Sequence, residues 1–389
     1  MDLTHFLATK PLYYDKIDLE RMPAAYDEVK EALDIGRVVH IVGTNGKGST
    51  GRMLAAMLHA GGRRVGHYSS PHILRFNERV WIDGRDAEDA VLEAAHRKLQ
   101  GLLRPETSEA LSYFEYTTLL ALVAFEGVEV TVLEAGLGGE FDATNVVEKA
   151  LSVLTPVGLD HQAFLGDTVE EIALTKARSI DNKVLVAPQP NASVWEAVRR
   201  VAREKGAEVI SVGEILEKGE SGKIDAIIRK RGWPGYLGEN AKTAAAAYRV
   251  LEGAQPPLDV LATLPLKGRF QRIAPNVVVD VGHNPLAAEA LSRHLANAQA
   301  EEKPRLVYNA LADKDVEAVL SKLAPFVEGV EIIPIGSERT MAPERLKAAI
   351  ERCGLEAKPF NGIDAKRSYL VFGSFYVVEA FLKHLDTIP

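Results

Sequence analysis

Residues 37–60, RVVHIVGTNGKGSTGRMLAAMLHA, pass from a β-branched run through three closely spaced glycines and a lysine into a helix-forming stretch. A strand, a glycine-rich turn and a helix in this register form a unit in which backbone amides converge on phosphate oxygens. The helix adds its positive N-terminal end and the lysine counters the terminal phosphate charge. The strict pattern G-x-x-x-x-G-K-[ST] does not fit, because Ile41 stands five places before Gly46 and Gly48 follows Lys47. Gly43, Thr44, Asn45, Gly46, Lys47 and Gly48 are the candidate loop, with Ser49 or Thr50 supplying a hydroxyl for phosphate or Mg²⁺.

The surrounding pattern predicts an α/β chain. Apolar Leu19, Met22, Tyr26, Val29 and Leu33 predict a helix over 18–35. Strands are expected at RRVGHYS (63–69), VEVTVLEAG (128–136), ALSVLTPVG (150–158) and KVLVAPQ (183–189), with an apolar helix at about 114–126. Strands alternating with helices imply right-handed crossovers and a mostly parallel sheet. The Pro- and Gly-rich stretch 251–269 breaks this rhythm, and a fresh alternation follows it. Strands are expected at 277–281, 305–309, 330–335 and 369–373, and helices at 285–298, 315–327, 343–352 and after the last strand. The expected architecture is a phosphate-loop ATPase domain with a mostly parallel sheet (1–264) and a smaller Rossmann-like α/β domain (265–389).

Composition narrows the function classes. Lys and Arg number 46 against 54 Asp and Glu, a net charge of −8, which argues against nucleic acid as a partner. Cys353 is the single cysteine, so no internal disulfide is expected and a reducing compartment follows. The opening MDLTHFLATKPLYYD has no basic segment before an apolar run, and apolar stretches such as LLALVAF (119–125) are short of a membrane span. The expected location is the cytoplasm.

Several further stretches, with GTNGKGST (43–50), resemble the folylpolyglutamate synthase/dihydrofolate synthase family of the Mur ligase superfamily. They are SSPHILRFNERVWIDG (69–84), FEYTTLLALVAF (114–125), VLEAGLGGEFDATNVV (132–147) and GLDHQAFLGDTVEEIALTKA (158–177). LKGRFQ (266–271), VVVDVGHNPLAAEAL (277–291), ALADKD (310–315) and VFGSFY (371–376) continue the family's order, so the resemblance spans nearly the whole chain. In this family glycine commonly follows the loop lysine. Two departures are Arg178–Ser179 where the family has glycine, and GENAKTAAAA (238–247), with Asn240 at a usual histidine and Ala244 at a usual asparagine. The four alanines themselves read as a packed helix.

Glu134, after an apolar strand and before a glycine turn, stands where a carboxylate commonly meets Mg²⁺ in phosphate-loop enzymes. The resemblance implies that His161 joins Ser70 and Glu134 as metal ligands, and that Lys176 is carbamylated and helps to hold a second metal. It also implies that Arg269 reaches the terminal phosphate and that Asp280 and His283 touch the ribose and base side of the nucleotide. The implied activity is ATP-dependent amide ligation with Mg²⁺ or Mn²⁺. A pterin-linked carboxylate, from dihydropteroate or a reduced folate, is phosphorylated and then joined to L-glutamate, with residues 69–84 a loop on the folate side. The family implies a monomer. A muramyl peptide ligase is disfavoured, since a sizeable nucleotide-sugar domain usually precedes the loop there and only 39 residues precede His40. A phosphate-loop NTPase acting as a switch and a non-catalytic binding protein that kept the fold are the alternatives from other classes.

Overall fold

A computed structural model describes residues 1–12, 18–298 and 302–386. Tyr13–Asp15 of the opening stretch lie outside the described residues. The chain forms two compact units, Met1–Ile227 with Glu239–Leu264, and Ile228–Gly238 with Pro265–Pro389. Among the described residues no helix is long and apolar enough to cross a membrane.

The first unit is built on an eight-stranded sheet. Its strands are β1 (Arg37–Val42), β2 (Val65–Tyr68), β3 (Val80–Ile82), β4 (Arg85–Asp86), β5 (Val130–Glu134), β6 (Leu151–Leu154), β7 (Lys183–Val186) and β8 (Glu208–Ser211). The order is β4-β3-β2-β5-β1-β6-β7-β8, parallel except where β3 pairs with β2 and with β4. β1 is central, buried from Val38 to Val42 as a strand covered on both faces must be. Its neighbours β5 and β6 lie on opposite sides, so the chain leaving β1 emerges at a point where the connections diverge, the place at which open α/β sheets bind ligands.

Segment 69–84, expected as a loop, is partly sheet. Val80–Ile82 forms β3, antiparallel to β2, with His67 opposite Trp81. Three residues at a sheet edge carry too little alternation to be read as a strand. The helix expected over 18–35 is Arg21–Val29 followed by a 3₁₀ turn, Lys30–Ala32. Leu19 lies before it and is exposed.

Local signals explain the helices near the sheet's carboxyl edge. Ser112 and Glu115 form a reciprocal cap on helix Tyr113–Ala124, and Thr168 with Glu171 does the same for Val169–Ala177. Glu115 also receives Arg21 Nε at 2.9 Å. Helix Gly235–Glu252 carries Ala244–Ala247 fully buried, which permits close packing.

The second unit has a six-stranded sheet of β9 (Gln271–Ala274), β10 (Val277–Asp280), β11 (Arg305–Tyr308), β12 (Val330–Ile332), β13 (Ala357–Pro359) and β14 (Tyr369–Phe372). The order is β13-β12-β11-β14-β10-β9, parallel except for β9 on β10. Helices Pro285–Ala298, Val316–Leu323 and Pro343–Arg352 bury Leu291, Leu320 and Ile350 against Leu306, Tyr308 and Phe372.

A Cβ on Gly66 in β2 would lie 2.4 Å from the Phe125 ring, with no room to move. Gly66→Ala is expected to destabilise the protein by roughly 1–3 kcal/mol through overpacking. Gly101→Ala, in a helix position with open space around it, is expected to add about 0.5–1 kcal/mol. Urea unfolding of both variants checks the pair; equal effects would mean that the β2–Phe125 contact is loose.

Candidate active site

The glycine loop is held by contacts that exclude side chains at two points. Gly43 has φ 151°, and a Cβ there would fall 1.9 Å from Thr155 Oγ1. Gly46, at φ 87°, precedes helix Lys47–Ala60, and its Cβ would lie 2.6 Å from Asn240 Oδ1. The Thr44 and Asn45 amides both donate to Pro156 O, at 2.9 and 3.1 Å, and Thr44 Oγ1 donates to Gly158 O at 3.1 Å. The loop after β1 is therefore strapped to the segment after β6. The amides of Lys47, Gly48 and Ser49 are in the first helical turn and have no acceptor within the helix, which leaves them able to meet an anion.

Lys47 Nζ lies over the loop, donating to Gly43 O at 3.2 Å and Thr44 O at 3.3 Å. Ser49 Oγ donates to Gly46 O at 3.2 Å and accepts from Asn240 Nδ2 at 2.7 Å. The two candidate hydroxyls thus separate. Ser49 belongs to the loop network, whereas Thr50 is fully buried and its Oγ1 has no hydrogen-bond partner among the described residues. Ala244, in the same helix as Asn240, is fully buried and has no polar side-chain atom to offer a base.

Glu134 ends β5 and Ser70 follows β2, the adjacent strand, with Ser70 N 3.4 Å from Glu134 Oε2. Glu134 stands beside Ile41 of β1 in register, so parallel pairing delivers it to the same edge as the loop. His161 follows β6 in the left-handed region, φ 52°, and is partly exposed, with Nε2 3.9 Å from Asp160 Oδ1. Among the described residues no group of three His, Cys, Asp or Glu forms a metal cage. A carboxylate and hydroxyls at the mouth of a phosphate loop fit a hard divalent cation of the Mg²⁺ type, which takes few protein ligands and fills its shell from phosphate and water.

Lys176 is buried in helix Val169–Ala177. Burial, and then the charge of Lys47, lower its pKa to about 7, against the pull of Asp160 and Asp142. Residues 137–142 lie flat on its helix. A Cβ on Gly139 would be 2.9 Å from Lys176 O, and Glu140 N donates to Thr175 O at 3.0 Å. Asp142 braces this loop by accepting from Leu137 N at 2.7 Å and Thr144 Oγ1 at 2.6 Å. Arg178 does not crowd Lys176, since its guanidinium turns outward to Glu140 Oε2 at 3.1 Å.

In the second unit Arg269 lies in the turn before β9, its guanidinium over the Phe375 ring at 4.9 Å. Asp280, expected on the ribose side of a nucleotide, has both oxygens engaged internally. Oδ2 accepts from Tyr236 Oη at 2.6 Å and Phe270 N at 2.8 Å, and Oδ1 from Gly282 N at 2.7 Å. His283 Nδ1 lies 3.1 Å from Val281 O. The expected residues thus fall into two groups. Residues 43–50 with Ser70, Glu134, His161 and Lys176 belong to the first unit, and Arg269, Asp280 and His283 to the second. Asn240, Pro156 and Tyr236 were not legible as site residues; no local pattern marks an asparagine that meets a serine 191 positions away.

The family model for the Mur ligase glutamate ligase domain matches residues 268–371. A dihydrofolate synthase/folylpolyglutamate synthase of Haemophilus influenzae is 33% identical, the match covering 96% of this chain and 97% of that protein. The chain belongs to the folylpolyglutamate synthase/dihydrofolate synthase family. As a member of this family it is an ATP-dependent acid–amino-acid ligase. The crystal structure of Helicobacter pylori folylpolyglutamate synthetase shares its fold, with TM-score 0.79, 38% identity and coverage of 99% of this chain and 98% of that one. The bifunctional synthase of Yersinia pestis complexed with AMPPNP and a Mn ion has TM-score 0.83 and 28% identity, with coverage of 99% and 98%.

An amine of depressed pKa sheds its proton in the folded protein while the unfolded chain still holds it. The stability cost of Lys176 is therefore full below pH 7 and disappears as pH rises from about 7 toward the usual lysine range. In CO₂-free buffer the ¹³Cε resonance of Lys176, assigned by its loss in Lys176→Met, is expected to titrate near pH 7. A midpoint near 10 would mean that the amine is solvated.

Proposed function

We propose the following division of labour for ATP-dependent joining of L-glutamate to a pterin-linked carboxylate. The observation that carries it is the gathering of loop, Lys47, Glu134 and the near-neutral Lys176 around the carboxyl edge of one sheet. The first unit binds ATP, its triphosphate on the amides of Lys47, Gly48 and Ser49 and on the Lys47 ammonium. Thr44, Asn45 and the glycines shape this cradle. The second unit serves as the glutamate-ligase domain, which the match over 268–371 supports.

A substrate carboxylate oxygen attacks the γ-phosphorus of ATP, ADP leaves, and an acyl phosphate results. The free amine of L-glutamate then attacks the acyl carbon. The C–O bond to phosphate breaks, inorganic phosphate departs, and the amine proton goes to solvent or phosphate. Ser49, Ser70, Glu134 and His161 are assigned to hold Mg²⁺ or Mn²⁺, which when bound neutralises charge on the phosphates. Arg269 is assigned to the charge on the transferred phosphoryl group, since a planar guanidinium suits phosphate oxygens. His283 is assigned to the nucleotide side.

Lys176 is read as the site of carbamylation. Its neutral amine attacks CO₂, a C–N bond forms and a proton is released, leaving an anionic group suited to a second metal. A buried lysine with a pKa of about 7 keeps enough free base at neutral pH for that step. The pterin side is read as segment 69–84 with helix Tyr113–Ala124. There Arg79 Nε donates to His72 Nδ1 at 2.8 Å and lies over the Tyr113 ring at 5.3 Å, while Phe76 meets that ring edge-on at 6.5 Å. The chain is read as a cytoplasmic monomer acting on small molecules, without nucleic acid or membrane, and the net charge of −8 supports the part of this reading that concerns nucleic acid.

ADP release with ATP, Mg²⁺ and L-glutamate tests this reading, in parallel with dihydropteroate, a reduced folate, or no pterin, products being weighed by mass spectrometry. Pterin-dependent ADP release with a mass gain of one glutamyl unit is expected, and ADP release independent of pterin would sink the ligation. Lys47→Ala should lower kcat by roughly a hundredfold or more. Removal of CO₂ should slow the wild type reversibly and leave Lys176→Met, already impaired, unaffected. A wild type indifferent to bicarbonate would remove the carbamate.

A further inference from the structure

We propose that Tyr236 is a positioning residue for Arg269, which it serves by fixing Asp280 and, through it, the turn that presents the guanidinium. The proposal rests on the reading of Arg269 as the group that meets the transferred phosphoryl charge. Residues 228–238 belong to the second unit although they precede its main segment, which starts at Pro265. They deliver Tyr236, in the first turn of helix Gly235–Glu252, onto the end of β10.

Arg269 lies between two residues in the left-handed region, Gly268 at φ 62° and Phe270 at φ 44°. Glycine adopts that conformation freely, but for a phenylalanine it costs about 1–3 kcal/mol and persists only when neighbours enforce it. The turn is closed by Arg269 N, which donates to Leu266 O at 3.2 Å, and by Gly268 N, which donates to Gln271 Oε1 at 2.8 Å, and further contacts come from outside it. Phe270 N donates to Asp280 Oδ2 at 2.8 Å, Val281 N donates to Gly268 O at 2.9 Å, and the Phe270 ring meets His294 edge-on at 4.7 Å. The acceptor of the Phe270 amide is the same oxygen that receives the Tyr236 hydroxyl at 2.6 Å. Oδ1 is turned to Gly282 N at 2.7 Å, so the carboxylate is fixed in plane by donors on both oxygens.

Removal of the hydroxyl takes one of the two donors from Oδ2 and leaves the Phe270 and Gly282 amides to hold the carboxylate alone, which loosens the arrangement that keeps Phe270 left-handed. Arg269 then samples other directions at its backbone, while its far end still has the Phe375 ring. Burial and the Asp280 charge hold the Tyr236 phenol well above its ordinary pKa, so it remains a donor across the working pH range. Tyr236→Phe keeps the ring and deletes one charge-assisted bond, which separates positioning from packing.

Steady-state kinetics on the full chain with Tyr236→Phe, Arg269→Ala and the double variant test the proposal. Tyr236→Phe is expected to lower kcat by roughly ten- to a hundredfold, the equivalent of one hydrogen bond to a charged group. KM for ATP and L-glutamate should stay within about twofold, since an interaction made only in the transition state moves kcat alone. In the Arg269→Ala background the Tyr236 substitution should have no further effect, the signature of coupled residues. Amide exchange at Phe270 should quicken in Tyr236→Phe while Leu306 in β11 stays protected. An unchanged kcat, additive losses in the double variant, or an unaltered Phe270 amide would each overturn the proposal. An Arg269→Ala variant with full activity would instead overturn the reading of Arg269 on which it stands.

Discussion

The two hydrogen bonds from the Thr44 and Asn45 amides to Pro156 O hold the first unit's chemistry in place. They tie the segment after β1 to the segment after β6, so the loop is strapped across the carboxyl edge of the sheet and cannot swing as a free turn. Gly43 must have no side chain because the strap brings it against Thr155, and Gly46 must have none because Asn240 closes from the other side. The glycine spacing is the chain's answer to that closeness, and it lets helix Lys47–Ala60 start directly from the strapped loop.

Parallel strands extend the same logic to the remaining groups. β1, β2, β5 and β6 run in one direction, so residues that follow them emerge along one edge. Glu134, Ser70 and His161 come from three different strands and need no local motif to meet the loop's edge. Lys176 arrives differently, on helix Val169–Ala177 with the run 137–142 packed against it, and burial lowers its amine to a pKa of about 7. Its depressed pKa is therefore a property of packing and not of the residues beside it in the chain.

The fold was largely legible before the structure. β-branched runs ending in glycine marked β1 and β5, and in the second unit the helices Pro285–Ala298 and Pro343–Arg352 fall where their patterns predicted. Legibility failed where a short edge element or a distant partner decided the outcome. β3 has three residues and is a strand only because β2 lies beside it. Asp280 ends a strand, and its partners Tyr236, Phe270 and Gly282 are set by the fold and not by a local pattern. Arg178 replaces a glycine usual in the family two residues after Lys176, and an ion pair with Glu140 takes it outward.

What the sequence determined by itself is periodic or conformational. Strand and helix order, the doubly wound class, the glycine positions and the residue types able to meet phosphate all follow from local sterics and hydrophobic period. What the tertiary structure decided is which of those groups are buried, paired or turned away. Asn240 reaches Ser49 across 191 positions, Thr50 is sealed while Ser49 joins the loop, and Lys176 is left near neutrality. The physical reason is that backbone conformation depends on neighbours in the chain, whereas desolvation and hydrogen-bond partnership depend on neighbours in space.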